Sequence, residues 1–278
     1  MIRGLVNKII PFSSVDGPGN RTAIFLQGCN FNCIYCHNPE TINICINCGI
    51  CIEVCPSQCL HMENGIVRWD KGKCVGCDSC LKACKSCSSP KISHMTVEDV
   101  LKAIQNVRPF ITGITISGGE CMLQKEFVTE LCEEAKKIGL TAFIDSNGSI
   151  PFYGDDRLIT AIDMVMLDVK SFDKEEHKML TGQDNEVVLK NMEYLAYISK
   201  LYEIRTVVVP DVLNNERNVD MASKRLAELD PSIKYKLIKY RPIGVRTDMI
   251  KSSMPTDDMM TKLKDIAVKN GCKDVVVI

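Results

Sequence analysis

Three closely spaced cysteines follow an apolar run near the start of the chain. Cys29, Cys33 and Cys36 are separated by three and then two residues, a C-x3-C-x2-C spacing. Soft thiolate ligands suit iron–sulfur clusters, and a four-iron cluster that is bound by protein alone takes four cysteines. A group of three therefore predicts a [4Fe-4S] cluster with one iron left for an external ligand. We expect the chemistry to take place at that iron.

Two longer cysteine runs follow, each with the spacing C-x2-C-x2-C-x3-C. The first consists of Cys45, Cys48, Cys51 and Cys55, and the second of Cys74, Cys77, Cys80 and Cys84. Both resemble the run of bacterial ferredoxins, in which three cysteines hold one [4Fe-4S] cluster and the fourth reaches the other. That resemblance implies two ligand sets: Cys45, Cys48, Cys51 with Cys84, and Cys74, Cys77, Cys80 with Cys55. Lys85 departs from the pattern, which has proline there.

Disulfides and zinc are the alternatives for a chain with sixteen cysteines. Disulfide frameworks belong to short secreted chains, whereas twelve of these cysteines lie between Cys29 and Cys84 in metal-ligand spacings. Structural zinc needs two C-x2-C pairs for each site, whereas each run offers three close cysteines and a fourth. Iron–sulfur clusters are therefore favoured. The cysteines that fit neither run are expected to be small buried apolar residues: Cys59, Cys87, Cys121, Cys132 and Cys272.

The elements that must position these cysteines are predicted from the apolar pattern. A strand at 22–27 leads into the triad, and residues 44–90 contain no helix-length periodic segment, which indicates a small inserted domain. The remainder, 1–43 and 91–278, forms the main domain. Further strands are predicted at 113–117, 141–146, 164–169, 203–209, 235–240 and 274–278, and helices at about 96–108, 124–138, 156–162, 185–200, 215–229 and 256–270. This alternation predicts an α/β fold with a parallel sheet, an open partial (β/α)6 TIM-like barrel.

Polar motifs end several of these strands. Gly118-Gly119-Glu120 offers two flexible residues and a carboxylate, although a plain strand-to-helix turn is an alternative. Asp145 and Asp168 close two later strands, and Lys170 follows the second. Because unpaired buried charge is costly, these groups need partners, and an ion pair of either aspartate with Lys170 is the structural alternative to a ligand site.

Several sequence motifs together resemble those of the glycyl-radical enzyme activating enzymes of the radical SAM superfamily. They are the C-x3-C-x2-C triad, Asp-Gly-Pro-Gly-Asn-Arg-Thr at 16–22, His-Asn-Pro-Glu at 37–40 and Gly-Gly-Glu at 118–120. The resemblance covers nearly the full length, and residues 88–91 and the overall length are most similar to the YjjW-type subgroup. The fold that this implies is a radical SAM partial barrel with a ferredoxin-like insert.

The resemblance also implies roles for individual residues. The catalytic cluster ligands would be Cys29, Cys33 and Cys36, and S-adenosylmethionine (SAM) would bind the open iron through its amino and carboxylate groups. Gly118, Gly119 and Glu120 would receive the SAM amino group, and Lys170 would pair with SAM. A monovalent cation would lie among Asp145, Ser146, Met166 and Asp168. Further cofactor-binding residues would be Asn38, Val169, Arg205 and Arg241, the last at a position where some activating enzymes carry histidine.

The activity implied by the resemblance is the activation of another enzyme. Reductive cleavage of SAM would give methionine and a 5′-deoxyadenosyl radical, which would remove a hydrogen atom from a glycine Cα of the partner. The implied cofactors are three [4Fe-4S] clusters, SAM and a monovalent cation. The implied partners are a glycyl-radical enzyme and an electron donor such as flavodoxin or ferredoxin, with this chain acting as a monomer. The insert would relay electrons or help to dock the partner.

The composition limits the classes of partner and the location that we expect for this protein. A net charge of −1 and the lack of a long apolar run give no reason to expect nucleic acid or membrane partners, and we expect a cytoplasmic protein. A radical SAM enzyme that acts on a small molecule or peptide is a second hypothesis. An electron-transfer ferredoxin fused to an inert barrel is a third, but an electron carrier needs none of the motifs at the strand ends.

Overall fold

Eleven strands and nine α-helices are present in residues 2–278, the part of the chain that the computed structural model describes. The strands are β1 (Arg3–Ser13), β2 (Arg21–Leu26), β3 (Leu60–Glu63), β4 (Ile66–Trp69), β5 (Ser93–Thr96), β6 (Gly113–Gly118), β7 (Thr141–Ser146), β8 (Met164–Asp168), β9 (Leu201–Val208), β10 (Lys234–Lys239) and β11 (Val275–Val277). The helices are α1 (Ile50–Glu53), α2 (Ser79–Ala83), α3 (Val97–Ile104), α4 (Lys125–Lys137), α5 (Asp156–Ala161), α6 (Lys174–Thr181), α7 (Glu186–Tyr197), α8 (Asn215–Leu229) and α9 (Asp257–Lys269). None of these helices is both long and apolar enough to cross a membrane.

Nine of the strands form one open sheet in the order β11-β10-β9-β8-β7-β6-β2-β1-β5. The seven strands from β11 to β2 are parallel, and β1 and β5 continue the sheet in antiparallel pairing. Strand β6 is almost entirely buried along its length, as expected for a sheet covered on both faces. The carboxyl ends of the parallel strands therefore share one edge, which receives the loop that carries the cysteine triad.

The predicted strands and helices of the main domain are confirmed, with ends that differ by at most four residues. Helix α3 begins as expected, because Thr96 and Asp99 form a capping box in which each side chain accepts from the other residue's amide. Strands β1 and β5 and helix α6 were not predicted. Pro11 argues against a strand, but β1 tolerates it because only residues 3–6 of that strand pair with β5.

The amino-terminal end of the sheet is organised around a buried arginine. Arg21 is 1% exposed and donates hydrogen bonds to the hydroxyl groups of Thr115 and Thr141 at 2.8 and 2.9 Å. It also donates to the carbonyl oxygens of Ile114 and Thr141, and its guanidinium carbon lies 4.1 Å from the centre of the Phe143 ring. The motif at residues 16–22 therefore lies at the amino-terminal end of the parallel strands, whereas the cysteine triad lies at their carboxyl end.

The segment 44–90 has its own small core. Strands β3 and β4 form an antiparallel hairpin whose turn residues, Asn64 and Gly65, both have positive φ. This Asn-Gly pair is a strong hairpin signal that the sequence analysis did not use. A bridge between Asn43 and Ser88 brings the two ends of the segment together. The predicted domain boundaries themselves stay a prediction.

Candidate active site

A cavity of about 250 Å³ lies at the carboxyl ends of the parallel strands. Eleven of the fifteen residues predicted for the main site line it: Cys29, Cys33, Cys36, Asn38, Gly118, Gly119, Asp145, Ser146, Asp168, Lys170 and Arg205. A larger groove of about 690 Å³ lies beside α3 and α4 and contains none of them. The chemistry-bearing residues therefore converge on the smaller cavity, although they come from five separate parts of the chain.

The triad loop, residues 27–43, is fixed from two directions. The Asn32 amide donates to the carbonyl oxygen of Thr181 at 2.8 Å, which ties the loop to the end of α6. The Arg246 side chain donates from Nη2 to the carbonyl oxygen of Cys33 at 2.8 Å. Helix α6 was missed in the sequence although Asp173 caps its start and Gly182 ends it in the left-handed conformation. The cysteine spacing is thus held by elements distant in sequence.

Burial dominates the chemistry of the three triad thiols. Removal from water raises the pKa of Cys29 to about 12 and that of Cys33 to about 11, and it also raises the pKa of Cys36. Thiolates at these positions need a strong positive charge beside them, which a coordinated metal supplies. Three sulfur donors around one cavity fit a [4Fe-4S] cluster that is held by three cysteines.

The two glycines after β6 are required by the approach of backbone to backbone. A Cβ at Gly118, whose φ is +131°, would lie 2.2 Å from the carbonyl oxygen of Leu26. A Cβ at Gly119 would lie 2.2 Å from the carbonyl oxygen of Gly28. No side chain fits at either position without movement of β2 or the triad loop. The glycines therefore seat the triad loop against β6, and they also form part of the cavity wall.

Glu120 is directed into the protein. Its carboxylate is fully buried and accepts hydrogen bonds from the Met122 amide, the Ser146 hydroxyl and the Asn147 amide at 2.7–2.9 Å. Burial outweighs these bonds and raises the pKa of Glu120 to about 7. The resemblance implies contact with the SAM amino group, but this side chain does not line the cavity. In the described structure it fixes the loop after β7.

Arg205 is the centre of a buried charge network. Its Nη1 pairs with Oδ1 of Asp145 at 3.1 Å and its Nε with Oε1 of Glu203 at 2.5 Å, while Nζ of Lys236 lies 2.8 Å from the same Glu203 atom. Burial opposes the charge on Arg205, but Asp145 and the other nearby acids outweigh it and raise the pKa. The Ser117 hydroxyl adds a 3.0 Å hydrogen bond to Asp145.

Lys170 and Asp168 form the second buried pair, with Nζ 2.6 Å from Oδ2. Burial acts to raise the pKa of Asp168, but Lys170 outweighs it and lowers that pKa, while Asp168 raises the pKa of Lys170. The ion pair that the sequence left open as an alternative is therefore present. The three acids of the two networks match their three bases, so a ligand carrying both an ammonium and a carboxylate would meet both signs of charge.

Three other predicted residues lie outside the cavity lining, as Glu120 does. Met166 is buried, and its sulfur accepts a 2.9 Å contact from Nη2 of Arg205. Val169 is buried and donates its amide to the carbonyl oxygen of Arg205. Arg241 is exposed, and the structure gives it a backbone role, since its carbonyl oxygen lies 2.9 Å from Nε2 of His37.

The family model of the Radical SAM superfamily matches residues 23–222, which contain the triad and all the strand-end motifs around the cavity. The chain belongs to the radical SAM superfamily. Membership in this family implies a [4Fe-4S] cluster and SAM, which agrees with the donor set of the cavity.

Two curated relatives of this radical SAM protein match over most of its length. It is 29% identical to the indoleacetate decarboxylase activating enzyme of Tractidigestivibacter scatoligenes, over 99% of this chain and 98% of the relative. It is 30% identical to the (2S)-3-sulfopropanediol sulfolyase activating enzyme of Bilophila wadsworthia, over 87% of this chain and 86% of the relative. Both relatives are named as activating enzymes.

Solved structures support the fold. QueE from Escherichia coli covers 99% of this radical SAM chain and 94% of its own, with a TM-score of 0.53 and 16% identity. A domain of the pyruvate-formate lyase-activating enzyme from Bacteroides vulgatus covers 60% of this chain and 98% of its own, with a TM-score of 0.51 and 21% identity. These likenesses show the α/β architecture with its parallel sheet.

Several residues of the radical SAM site were missed in the sequence. Asn147 lines the cavity, and its side-chain amide lies 3.8 Å from the Cys29 sulfur. Tyr35 also lines the cavity, with a buried hydroxyl group that has no hydrogen-bond partner in residues 2–278. Asn147 belongs to the polar motif at 145–148 that ends a predicted strand, and this position was a usable signal for a site residue. No local signal marks Glu203 or Arg246, because their roles depend on which strands and loops become neighbours.

The cysteines of the insert divide into two groups. Cys45, Cys48, Cys51 and Cys84 line one small cavity, which matches the membership of the first predicted ligand set. The second predicted set combines Cys74, Cys77 and Cys80 with Cys55, whose sulfur lies 3.4 Å from that of Cys59. The clusters themselves stay a prediction.

One expectation for the remaining cysteines, the burial of Cys87, needs correction. Cys59, Cys121, Cys132 and Cys272 are buried as expected, but Cys87 is only partly buried and has a φ of +47°. Within residues 2–278, no three His, Cys, Asp or Glu side chains are close enough together to hold a single metal ion. A four-iron cube holds its thiolates farther apart than one ion does, so this finding concerns mononuclear sites.

Proposed function

We propose that this protein activates a partner glycyl-radical enzyme. The observation that carries the proposal is its similarity to enzymes named as activating enzymes over 87–99% of the chain. When bound and supplied with one electron by the donor, the cluster and SAM would provide a 5′-deoxyadenosyl radical able to take a hydrogen atom from a glycine Cα of the partner. A glycine suits such a step because it has no side chain, so a loop that presents it can enter a narrow cleft.

The residues of the chain have separate tasks in this proposal. Cys29, Cys33 and Cys36 would hold the cluster, and Gly119 lets the triad loop lie directly against the end of β6. Lys170 and Arg205 would exchange part of their pairing with aspartates for the carboxylate of SAM. A monovalent cation at Asp145 and Asp168 would compete with these two side chains, which occupy both carboxylates in the described structure.

The test of the function is anaerobic reconstitution with iron, sulfide, SAM and a reductant, together with a glycyl-radical enzyme encoded near this gene. Electron paramagnetic resonance should show a glycyl radical doublet on the partner. The matched control is Cys33→Ala, which removes one cluster ligand and should give no doublet. Cleavage of SAM without a doublet for any candidate partner would contradict the proposal and favour a small-molecule or peptide substrate.

The insert is assigned to electron relay from a donor such as flavodoxin or ferredoxin, through two further [4Fe-4S] clusters. The four cysteines around one small cavity support the first of these sites. Cys45→Ala and Cys77→Ala should lower partner activation by a protein donor and spare activation by a strong chemical reductant. Full activity with the protein donor would contradict relay and leave docking as the role of the insert.

A further inference from the structure

The second predicted ligand set of the insert has one thiol more than a cluster needs. Cys74, Cys77 and Cys80 come from the second run, and Cys55 closes the first. Cys59 lies beside them, although it belongs to neither run. Five thiols thus gather where a [4Fe-4S] cluster takes four.

The position of Cys59 is more protected than that of Cys55. Its side chain is 3% exposed and packs in the insert core with Cys80, whereas Cys55 is only partly buried at the edge of that core. Its carbonyl oxygen accepts a 2.8 Å hydrogen bond from the Asp70 amide, which fixes the backbone at the start of the β3–β4 hairpin.

The sulfur atoms of Cys55 and Cys59 are 3.4 Å apart, which is contact distance. Two sulfurs in contact cannot bind separate irons of one cube, because the ligand sulfurs of neighbouring irons lie well beyond contact. The pair therefore makes one ligand position with two available thiols. At the corresponding place in the first set, the Cys84 sulfur meets the hydroxyl of Ser88 at 3.4 Å instead of a second thiol.

A separate observation indicates an anionic acceptor at this place. The indole nitrogen of Trp69 is buried and makes no hydrogen bond of ordinary geometry in residues 2–278. Trp69 pairs with Leu60, the residue after Cys59, and packs with Cys74 against the same core. A buried donor without an acceptor is costly, and the Cys74 sulfur beside the indole would satisfy it as an iron-bound thiolate of the same cluster.

We propose that Cys55 and Cys59 share the fourth ligand position of the second insert cluster, so that either thiol alone completes it. The inference rests on the proposed function only in assuming that the insert holds two clusters. On binding iron, the ligating thiol releases its proton to solvent, and the other thiol remains protonated beside it. No electron is transferred in this exchange.

The experiment compares four variants of the full chain, reconstituted anaerobically with iron and sulfide: Cys55→Ala, Cys59→Ala, the double variant and Cys84→Ala. Iron and sulfide content and the resonance spectrum of the reduced protein are the measurements. Each single variant at the shared position should keep the full iron content. The double variant and the Cys84→Ala control each leave one insert cluster with three cysteines, so each should lose iron or show a changed resonance spectrum for that cluster.

Loss of about a third of the iron from either single variant would overturn the proposal, since one thiol would then be indispensable. A double variant with both the iron content and the resonance spectrum of the wild type would overturn it as well, because neither thiol would be a ligand. Loss of iron from a single variant is decisive even if the double variant does not fold. Wild-type protein with only one cluster's iron would refute the insert clusters, independently of whether the glycyl radical doublet is seen.

Discussion

Two buried arginines occupy opposite ends of the parallel strands, and their partners differ in kind. Arg21, at the amino-terminal end, donates only to neutral hydroxyl and carbonyl oxygens. Arg205, at the carboxyl end, pairs with the carboxylates of Asp145 and Glu203. Burial lowers the pKa of Arg21 to about 10, whereas the acids near Arg205 raise its pKa.

The difference separates a structural use of buried charge from a functional one. The neutral partners of Arg21 are parts of strands and are fixed, so this arginine can only hold the strand ends together. Arg205 itself and its partner Asp145 are charged side chains at the wall of a cavity, where a ligand of either sign can exchange with them. The same residue type therefore locks one end of the sheet and prepares the other end for binding.

The largest expected effect comes from breaking the carboxyl end alone. Cys33→Ala should reduce SAM cleavage to background, because the cluster loses one of three protein ligands. The amino-terminal end is untouched, so the melting temperature of the metal-free variant should stay within a few degrees of the metal-free wild type. Formation of 5′-deoxyadenosine, separated by liquid chromatography, measures the activity.

Cys132→Ala is the matched control, since Cys132 is a fully buried thiol of α4 outside the cavity. It should cost about 1 kcal/mol of stability through a small void and leave SAM cleavage intact. Substantial cleavage by Cys33→Ala would show that the triad is not the catalytic centre.

A second experiment compares the two arginines directly through pH. Arg21→Met should lower the free energy of unfolding by about 2–4 kcal/mol at both pH 5 and pH 8, because the oxygens that lose their donor do not titrate. Arg205→Met should cost about 3–5 kcal/mol at pH 8 and less at pH 5. Without Arg205, the folded-state pKa of Asp145 rises further, so stability is kept at low pH and lost as pH increases.

Chemical denaturation of metal-free protein at the two pH values measures both variants. Arg205→Met should also weaken SAM binding by tenfold or more, about 1.4 kcal/mol, whereas Arg21→Met should not change it once folded. Equal pH dependence in the two variants would remove the distinction between the two ends of the sheet.

A third experiment concerns Glu120, which titrates at the carboxyl end of the parallel strands. Burial raises its pKa from 4.5 to about 7, so between these values the folded state holds a proton that the unfolded chain has released. The protonated Glu120 therefore contributes fully to folding stability below about pH 4.5. The free energy of unfolding then falls by roughly 3 kcal/mol as the pH rises to 7. Glu120→Gln cannot titrate, so the stability difference between wild type and variant should shrink across this window. A constant difference would contradict the assignment.

Much of the site was predictable because its residues carry local signals. The cysteine triad, Gly118, Gly119, Asp145 and Lys170 each stand at or just after an apolar run, and parallel strands bring such positions to one edge. The missed strand β1 and helix α6 had weaker patterns: Pro11 interrupts the first, and few apolar residues mark the second. The hairpin of the insert was missed although Asn64-Gly65 marks its turn.

The sequence by itself determined which residues carry chemistry, because ligand spacing and strand-end motifs are local properties of the chain. Only the tertiary structure decided the direction and pairing of those side chains. It turned Glu120 inward, joined Asp145 to Arg205 across β7 and β9, left Arg241 exposed, and brought Cys59 against Cys55. The physical reason is that burial and counter-charge depend on neighbours that are distant in sequence, and no spacing rule specifies them.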